Sequence, residues 1–197
     1  ANVQRDNVAV IGDSTFFHTG IPALLNTAYN GSDTVTIILD NRTTAMTGHQ
    51  DHPGTGRTLQ GERTQLVDMG ALVRSLGIDH VTTVDPYDLA EVEEVLREYI
   101  ELGEPAVVIA QHPCALLPSS REEQAALYVD TEQCTCCGLC LELGCPAVSR
   151  DTALVSGMQR HPAVIDPLLC AGCGICAQIG PSGAIVAYEE VEEAVES

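Results

Sequence analysis

Residues 134–146 read CTCCGLCLELGCP, and residues 170–181 read CAGCGICAQIGP. Both runs have the form C-x2-C-x2-C followed shortly by a proline, and together they hold eight of the nine cysteines in the chain. This spacing is typical of loops that wrap a cubane iron–sulfur cluster, because three thiolates come from one tight loop and a fourth comes from a distant part of the chain. Where a protein carries two such clusters, the cysteine before the proline serves the other cluster, so the two runs interlock.

The interlocking rule predicts two sites that differ in completeness. The ligands of the complete [4Fe-4S] site are Cys145, Cys170, Cys173 and Cys176. The ligands of the other site are Cys134, Cys137 and Cys140, and its fourth ligand is expected at Gly180. The second cluster is therefore left open between a [4Fe-4S] cluster that has water or another side chain as its fourth ligand, a [3Fe-4S] cluster, and no cluster.

Zinc and disulfides are the other interpretations of these cysteines. A structural zinc site is complete with four ligands, which commonly come from C-x2-C pairs. It does not require a third cysteine three residues further on in each run. Disulfides suit short secreted chains, and this sequence shows no signal peptide. The two remaining cysteines have no predicted ligand role: Cys114 is expected to be a small buried side chain, and Cys136 to point away from the cluster that its neighbour binds.

Charge and composition exclude some function classes and favour others. The net charge is −19, with 28 acidic residues against nine Lys and Arg, which argues against nucleic-acid binding because phosphate contacts need clustered cations. No apolar run is long enough to cross a membrane, so no membrane partner is expected. Thiolate clusters need a reducing, oxygen-poor compartment, which favours the cytoplasm.

The chain is long enough, at 197 residues, for one α/β domain and a small module. Buried strands alternate with helical patterns in the first part, which predicts a parallel sheet with helices on its faces. The strands are expected at 8–11, 35–39, 81–84 and 106–110, and the helices from about Pro22, over 64–76 and over 85–102. In the segment 42–62 the apolar residues show neither helical nor strand periodicity, so the segment is expected to be a functional loop or disordered. The composition changes near residue 120, so we expect domains at 1–120 and 121–197.

Polar residues follow the first two predicted strands at the point where each strand ends. Asp13 comes after the first strand, and Asn41 follows the second. Because ligands bind at the carboxyl ends of parallel strands, these side chains are expected to face each other. A carboxylate and a carboxamide oxygen, with a backbone carbonyl, suit Mg²⁺ held against a phosphate-bearing ligand. Gly12 allows that ligand to approach the backbone closely.

These motifs resemble those of a known family. The string GDS, followed about 28 residues later by DN, is similar to the magnesium–diphosphate motif of thiamine diphosphate enzymes, and LDNRTTAMTGHQDHPGTG (39–56) resembles the 2-oxoacid:ferredoxin oxidoreductases. With the cysteine module downstream, the whole chain looks like the C-terminal part of the alpha subunit of an indolepyruvate ferredoxin oxidoreductase. The resemblance implies a parallel-sheet thiamine diphosphate-binding domain followed by a small α+β bacterial-ferredoxin-like domain.

The resemblance also implies roles for individual residues. Mg²⁺ would be held by Asp13, the Asn41 side chain and the Thr43 carbonyl. The thiamine diphosphate would be approached by Gly12 and Ser14. The active-site side of the long loop would carry Thr47, Gly48, His49 and Gln50. Because histidine side chains suit proton transfer near neutral pH, His18 and His49 are candidate catalytic residues. His52 is a weaker candidate for this role.

The implied reaction is oxidative decarboxylation of an aryl 2-oxoacid such as indolepyruvate with CoA, its electrons passing through the clusters to ferredoxin. In the family a second domain supplies the glutamate that activates the thiazolium, and it is missing from this sequence. The chain is therefore expected to be part of a larger subunit, acting with the remainder of the alpha subunit and a beta subunit. One alternative is a non-catalytic electron-transfer protein with a flavin- or nucleotide-binding domain, and another is an assembly subunit with structural clusters.

Overall fold

The computed structural model describes residues 7–117, 125–152 and 161–187. The chain divides into two compact units, Ala1–Cys114 and Ala115–Ser197. The boundary expected near residue 120 lies outside the described residues, so the limits 1–120 and 121–197 stay a prediction.

The first unit is built on a sheet of four parallel strands. These are β1 (Val8–Gly12), β2 (Val35–Asp40), β3 (His80–Val84) and β4 (Ala106–Gln111). Their order in the sheet is β1-β2-β4-β3, and every neighbouring pair runs parallel. The predicted parallel α/β core is confirmed, and all four strands present their carboxyl ends at one edge.

Helices cover the two faces of this sheet unequally. They are α1 (Asp13–Thr15), a π-helical segment (Phe16–Gly20), α2 (Ile21–Tyr29), α3 (Met69–Ser75) and α4 (Leu89–Leu102). One face forms a core with residues from the π-helical segment, α2 and α3, including Phe16, Leu24, Val73, Ile38 and Ile109. The other face packs against α4 through Tyr99, Ala106 and Val108. No helix within the described ranges is both long enough and apolar enough to cross a membrane.

Three helix boundaries differ from the expectation. The predicted loop before Pro22 is helical, because the chain turns into helix at Asp13, directly after β1. The third helix begins at Met69 rather than at residue 64, since the Asp68 side chain accepts the Ala71 N–H and caps it. The fourth begins at Leu89 rather than at residue 85, for the same reason: Asp88 accepts the Glu91 N–H.

Strand β1 also departs from the expectation of a buried strand. It pairs only with β2 and forms an edge of the sheet as described. Val8 is 45% exposed and Val10 is 61% exposed. The apolar composition of β1 predicts a buried strand, but in the structure the side chains of Val8 and Val10 are exposed.

In its described residues, 125–152 and 161–187 among them, the second unit contains two small antiparallel sheets and two short helices. Strands β5 (Leu127–Val129) and β8 (Ile185–Ala187) form one sheet, and β6 (Val148–Arg150) and β7 (Ala163–Ile165) form the other. The helices are α5 (Leu139–Glu142) and α6 (Ile175–Ile179). Its core consists of aliphatic side chains together with two buried cysteines, Cys140 and Cys176.

Candidate functional site

Asp13 lies at the carboxyl end of β1, where the strand turns into helix. Its side chain is almost fully buried, with 4% exposure for the residue. One carboxylate oxygen, Oδ1, accepts the backbone N–H of Ser14 at 2.7 Å. A buried carboxylate is costly unless it is paired, so its other contacts decide what this position can do.

The second carboxylate oxygen of Asp13 contacts a histidine from the long loop. His52 Nε2 lies 3.1 Å from Asp13 Oδ2, and the His52 side chain is fully buried. The other ring nitrogen, Nδ1, accepts the Gly54 N–H at 3.1 Å. Because Nδ1 is an acceptor, the proton of the neutral imidazole is on Nε2, which donates to Asp13. Phe17 packs against the His52 ring, with centroids 5.5 Å apart.

Asp40, the last residue of β2, places a second carboxylate beside Asp13. Burial raises the pKa of Asp13; the Ser14 N–H and His52 act in the opposite direction, and Asp40 adds to the rise. Two neighbouring carboxylates in a buried site repel each other, and a positive charge beside them would stabilise their ionised forms. A cation bound between strand ends would supply that charge.

Asp40 also organises the start of the long loop. It accepts the backbone N–H of Arg42 at 3.1 Å, the Arg42 Nε at 3.3 Å and the Gln111 side-chain amide at 2.7 Å. Arg42 has a φ of 62°, which is uncommon for a residue other than glycine, and these contacts hold it there. Its Nη1 donates to the Gly54 carbonyl at 3.3 Å, so Arg42 ties the His52 turn to the end of β2.

The end of β1 is joined to the long loop by a pair of hydroxyl groups. The Thr44 hydroxyl donates to Ser14 Oγ at 2.9 Å, and Thr44 also forms a β-bridge with Gln50. Thr47 and Gln50 are hydrogen-bonded to each other through their side chains. The segment 44–50 is therefore an ordered, closed turn above the strand ends, not a disordered loop.

The structure brings together only some of the residues predicted for this site. Asp13 and Ser14 contact the segment 40–52, and Thr43 is buried. Asn41 Oδ1 accepts the Thr43 N–H at 3.2 Å. His18, Thr47, Gly48, His49 and Gln50 are exposed. A Mg²⁺ site shared by Asp13, Asn41 and Thr43 stays a prediction, as do the catalytic roles of His18, His49 and Gln50.

The donor set fits magnesium chemically. Mg²⁺ takes oxygen ligands and is usually held by one or two carboxylates together with substrate phosphates. Asp13 offers a buried carboxylate whose oxygens each keep a second lone pair. A Cβ at Gly12 would meet no atom within 4 Å, so space for a ligand lies in front of this residue.

His52→Ala is predicted to destabilise the first unit by about 2 kcal/mol, because it leaves the Asp13 carboxylate without its buried donor. His52→Gln carries a side-chain N–H at similar reach and should recover part of this loss. Chemical denaturation followed by circular dichroism measures both. The double variant with Asp13→Asn should show coupling; strictly additive free energies of unfolding would contradict the pairing.

In the second unit, Cys145, Cys170 and Cys173 are neighbours of Cys176. Burial raises the pKa of the Cys176 thiol to about 11, and the neighbouring thiols of Cys173, Cys170 and Cys145 add to the rise. The Cys170 sulfur accepts the backbone N–H groups of Leu127 and Gly172, each at 3.4 Å. These are the four residues that the spacing groups into the complete site, and bound iron would remove the need for a protonated thiol.

The other run places three cysteines together in the same way. Burial raises the pKa of Cys140, and the thiols of Cys137 and Cys134 add to the rise. Cys137 is exposed, and the Leu139 N–H lowers its pKa. Cys136 has a φ of 55° and donates its thiol to the Cys134 carbonyl at 3.8 Å. The clusters themselves stay a prediction.

A single metal ion is not favoured by this arrangement. Within residues 7–117, 125–152 and 161–187, no group of three or more His, Cys, Asp or Glu side chains is placed to hold one ion. Zinc needs four ligands that converge on one point. A cubane differs, because its thiolates bind different irons at separate corners.

Two residues of the candidate site were not predicted from sequence. His52 was ranked below His18 and His49, yet it contacts Asp13. The sequence motif Asp40-Asn41 assigns a ligand role to Asn41 alone, yet Asp40 is buried and forms an ion pair with Arg42. A usable signal existed for Asp40, since an acid at the last position of an apolar strand lies at the ligand-binding edge. No local pattern marks His52, because its pairing partner is 39 residues away.

Comparison with known proteins places these features in a family. Residues 1–110 match the thiamine pyrophosphate enzyme family at its C-terminal TPP binding domain. The chain is 43% identical over 192 residues to the indolepyruvate oxidoreductase subunit IorA of Pyrococcus horikoshii, and 46% identical over 182 residues to that of Archaeoglobus fulgidus. These matches cover 94% and 90% of this chain but 28% of each relative, so the chain spans less than a third of their length.

A solved structure shares the fold. It is a 2-oxoglutarate:ferredoxin oxidoreductase from Magnetococcus marinus with 2-oxoglutarate, coenzyme A and succinyl-CoA bound. The TM-score is 0.50 at 15% sequence identity, over 96% of this chain and 67% of that one. The resemblance of the sequence to the 2-oxoacid:ferredoxin oxidoreductases is confirmed, and the chain belongs to the thiamine pyrophosphate enzyme family through its C-terminal cofactor-binding domain.

Proposed function

We propose that this chain is the cofactor-binding and electron-outlet part of a 2-oxoacid:ferredoxin oxidoreductase. The reaction is the oxidative decarboxylation of an aryl 2-oxoacid such as indolepyruvate, with CoA as acyl acceptor and ferredoxin as electron acceptor. The chain works in the cytoplasm as part of a longer alpha subunit, together with a beta subunit. The similarity to IorA subunits over at least 90% of this chain supports the proposal.

The observation that carries the proposal is the buried Asp13 at the end of β1, enclosed by the segment 40–54. There Asp13, Asn41 and the Thr43 carbonyl would hold Mg²⁺. The same edge would hold the diphosphate of thiamine diphosphate. When bound, thiamine diphosphate supplies a nucleophilic carbon and an electron sink for the loss of CO₂ from a 2-oxoacid.

The chain's own residues prepare this position. Asp13 keeps a negative charge at the strand ends, and His52 orients it by donating from Nε2. Gly12 leaves the backbone accessible to a diphosphate. The Thr44–Ser14 contact holds the turn 44–50 over the edge, which reduces the access of water.

The exposed residues of the turn are assigned to the substrate side. His49 can transfer protons near neutral pH, and Gln50 is held in place by Thr47. His18 lies in the π-helical segment after Asp13 and is the second candidate for proton transfer. Thr47 and Gly48 complete the same surface.

The second unit would provide the electron outlet as a ferredoxin-like α+β module. The four thiols around Cys176 would hold one [4Fe-4S] cluster. Such clusters accept electrons one at a time. A module next to the cofactor domain in the chain can therefore divide the two electrons of the oxidation into single steps toward ferredoxin.

The test uses the intact subunit with its partner, purified without oxygen. We expect reduction of ferredoxin to require thiamine diphosphate, Mg²⁺, CoA and a 2-oxoacid together. Indolepyruvate should give a higher kcat/KM than pyruvate. Ferredoxin reduction that persists without thiamine diphosphate, or a preparation without acid-labile sulfide, would contradict the proposal.

The electron-transfer alternative makes a different prediction in the same assay. A flavin- or nucleotide-binding module would bind its cofactor without Mg²⁺ and would not release CO₂. Release of labelled CO₂ from a carboxyl-labelled 2-oxoacid therefore separates the two functions.

A further inference from the structure

The two cysteine runs of the second unit are structural repeats. Each has a left-handed residue before its second cysteine, Cys136 with a φ of 55° and Gly172 with a φ of 70°. Each has a left-handed glycine directly after that cysteine, and a short helix, α5 or α6, then carries the third cysteine. The third cysteines, Cys140 and Cys176, are both buried. Because the loops match, both runs are shaped to hold three corners of a cluster.

The repeats differ at the residue that should supply the fourth corner. Cys145 stands before a proline and packs against the core cluster that contains Cys176. The equivalent position after α6, also before a proline, is Gly180. Helices α5 and α6, which carry Cys140 and Cys176, pack against each other. The donor set there does not fit a cubane with four protein ligands.

Nothing in the backbone requires glycine at this position. Gly180 has φ −71° and ψ 113°, which any residue adopts. A Cβ there would lie 3.5 Å from the Cys176 carbonyl and 3.7 Å from the Ala177 carbonyl, both ordinary van der Waals contacts. The missing thiolate is therefore not a consequence of crowding or strain.

No described side chain replaces the missing ligand. Cys136 is the nearest additional thiol in the sequence, but it occupies the left-handed position of the loop and donates to the Cys134 carbonyl.

We propose that the site of Cys134, Cys137 and Cys140 binds a three-iron cluster, [3Fe-4S], whereas the site of Cys145, Cys170, Cys173 and Cys176 binds [4Fe-4S]. Three thiolates secure three irons, one at each corner, and the corner facing Gly180 has no protein ligand to retain a fourth. The two clusters then differ in composition and in reduction potential, because ligation sets both. The inference rests on the iron–sulfur part of the proposed function.

The experiment is low-temperature EPR of the intact, anaerobically purified subunit with its partner, recorded after mild oxidation. Oxidised three-iron clusters are paramagnetic, whereas oxidised ferredoxin-type four-iron clusters are not. We expect a three-iron signal in the natural protein. Cys140→Ser should abolish it while leaving the four-iron signal of the reduced protein, which assigns the signal to this site.

Gly180→Cys is the decisive variant. It should remove the three-iron signal and raise the iron content by about one atom per chain, because the fourth corner gains its thiolate. Gly180→Ala is the matched control, since it adds the Cβ without the sulfur and should keep the signal and the iron content unchanged.

The outcomes separate this inference from the proposed function. A natural protein with acid-labile sulfide and a four-iron signal, but no three-iron signal, overturns the inference alone, whatever the variants do. A three-iron signal that survives Cys140→Ser or Gly180→Cys overturns it as well. A protein without acid-labile sulfide overturns both.

Discussion

Asp13→Asn is expected to abolish Mg²⁺-dependent binding of thiamine diphosphate, with a loss in affinity above about 100-fold. Even the partners that orient metal ligands cost about 10–100-fold when removed, and the role proposed for Asp13 is direct contact with the metal. The change keeps the size of the side chain, removes its charge and replaces one acceptor oxygen by an amide group. Isothermal titration of the intact subunit with thiamine diphosphate, at fixed Mg²⁺, measures the affinity.

The fold should survive this change, which makes the result interpretable. Burial raises the pKa of Asp13, so its ionised form is disfavoured in the folded state, and stability is lost as pH rises through that pKa. Asparagine removes this cost but gives up one hydrogen bond from Ser14 or His52. We expect the free energy of unfolding to stay within about 1 kcal/mol of the natural protein.

Asp51→Asn is the matched control, because it removes the same charge from an exposed residue of the long loop, next to His52. It should leave the binding of thiamine diphosphate unchanged. Equal losses of affinity in Asp13→Asn and Asp51→Asn would show that the effect comes from net charge. They would contradict the assignment of Asp13 as a metal ligand.

The parallel sheet was predictable because its strands carry an unambiguous pattern. Val35–Asp40 and Ala106–Gln111 are apolar runs bounded by turn residues, and in the structure they are central strands that are buried over most of their length, apart from the exposed Leu39. Val8–Gly12 has the same composition, but it is exposed and lies at an edge of the described sheet. The composition of a strand shows that its side chains are suited to burial. It does not show whether another part of the protein packs against them.

The starts of the helices were harder to predict than their existence. Apolar spacing extends the third helix back to residue 64, but Asp68 stops it at Met69 by capping the Ala71 N–H. A capping aspartate was present in the sequence at both Asp68 and Asp88. Apolar spacing points to residue 64 for the one helix and the Asp85-Pro86 pair points to residue 85 for the other, but the capping side chains of Asp68 and Asp88 set the observed starts.

The candidate site was predictable where ligand spacing is local and not where it depends on a loop. The cysteine groups are predicted from intervals of three residues within each run and from the interlocking of the two runs, and their role as cluster ligands stays a prediction. The pairing of Asp13 with His52 depends on the conformation of an aperiodic segment, fixed by Asp40 and Arg42. Such tertiary contacts have no signature in a single sequence.

Cys176→Ser is expected to remove the four irons of the complete site, to release the other cluster as well, and to unfold much of the second unit. The described strands of this unit form only pairs, and an isolated two-stranded sheet is at best marginally stable. Cys176 is buried in the core of the unit, beside the other thiols of the complete site. Cluster binding therefore contributes to folding, as in other small metal-binding domains.

Two measurements distinguish this outcome from a general loss of structure. Iron and acid-labile sulfide should fall in Cys176→Ser and stay unchanged in Cys114→Ser, since Cys114 belongs to neither thiol group. Amide hydrogen exchange should become fast in β5 to β8 while β2 and β4 stay protected, because the parallel sheet has its own core. Unchanged protection in β5 to β8 after loss of the iron would show that the second unit folds without its cluster. The cysteines would then serve electron transfer alone, and the stability of the unit would come from its aliphatic core.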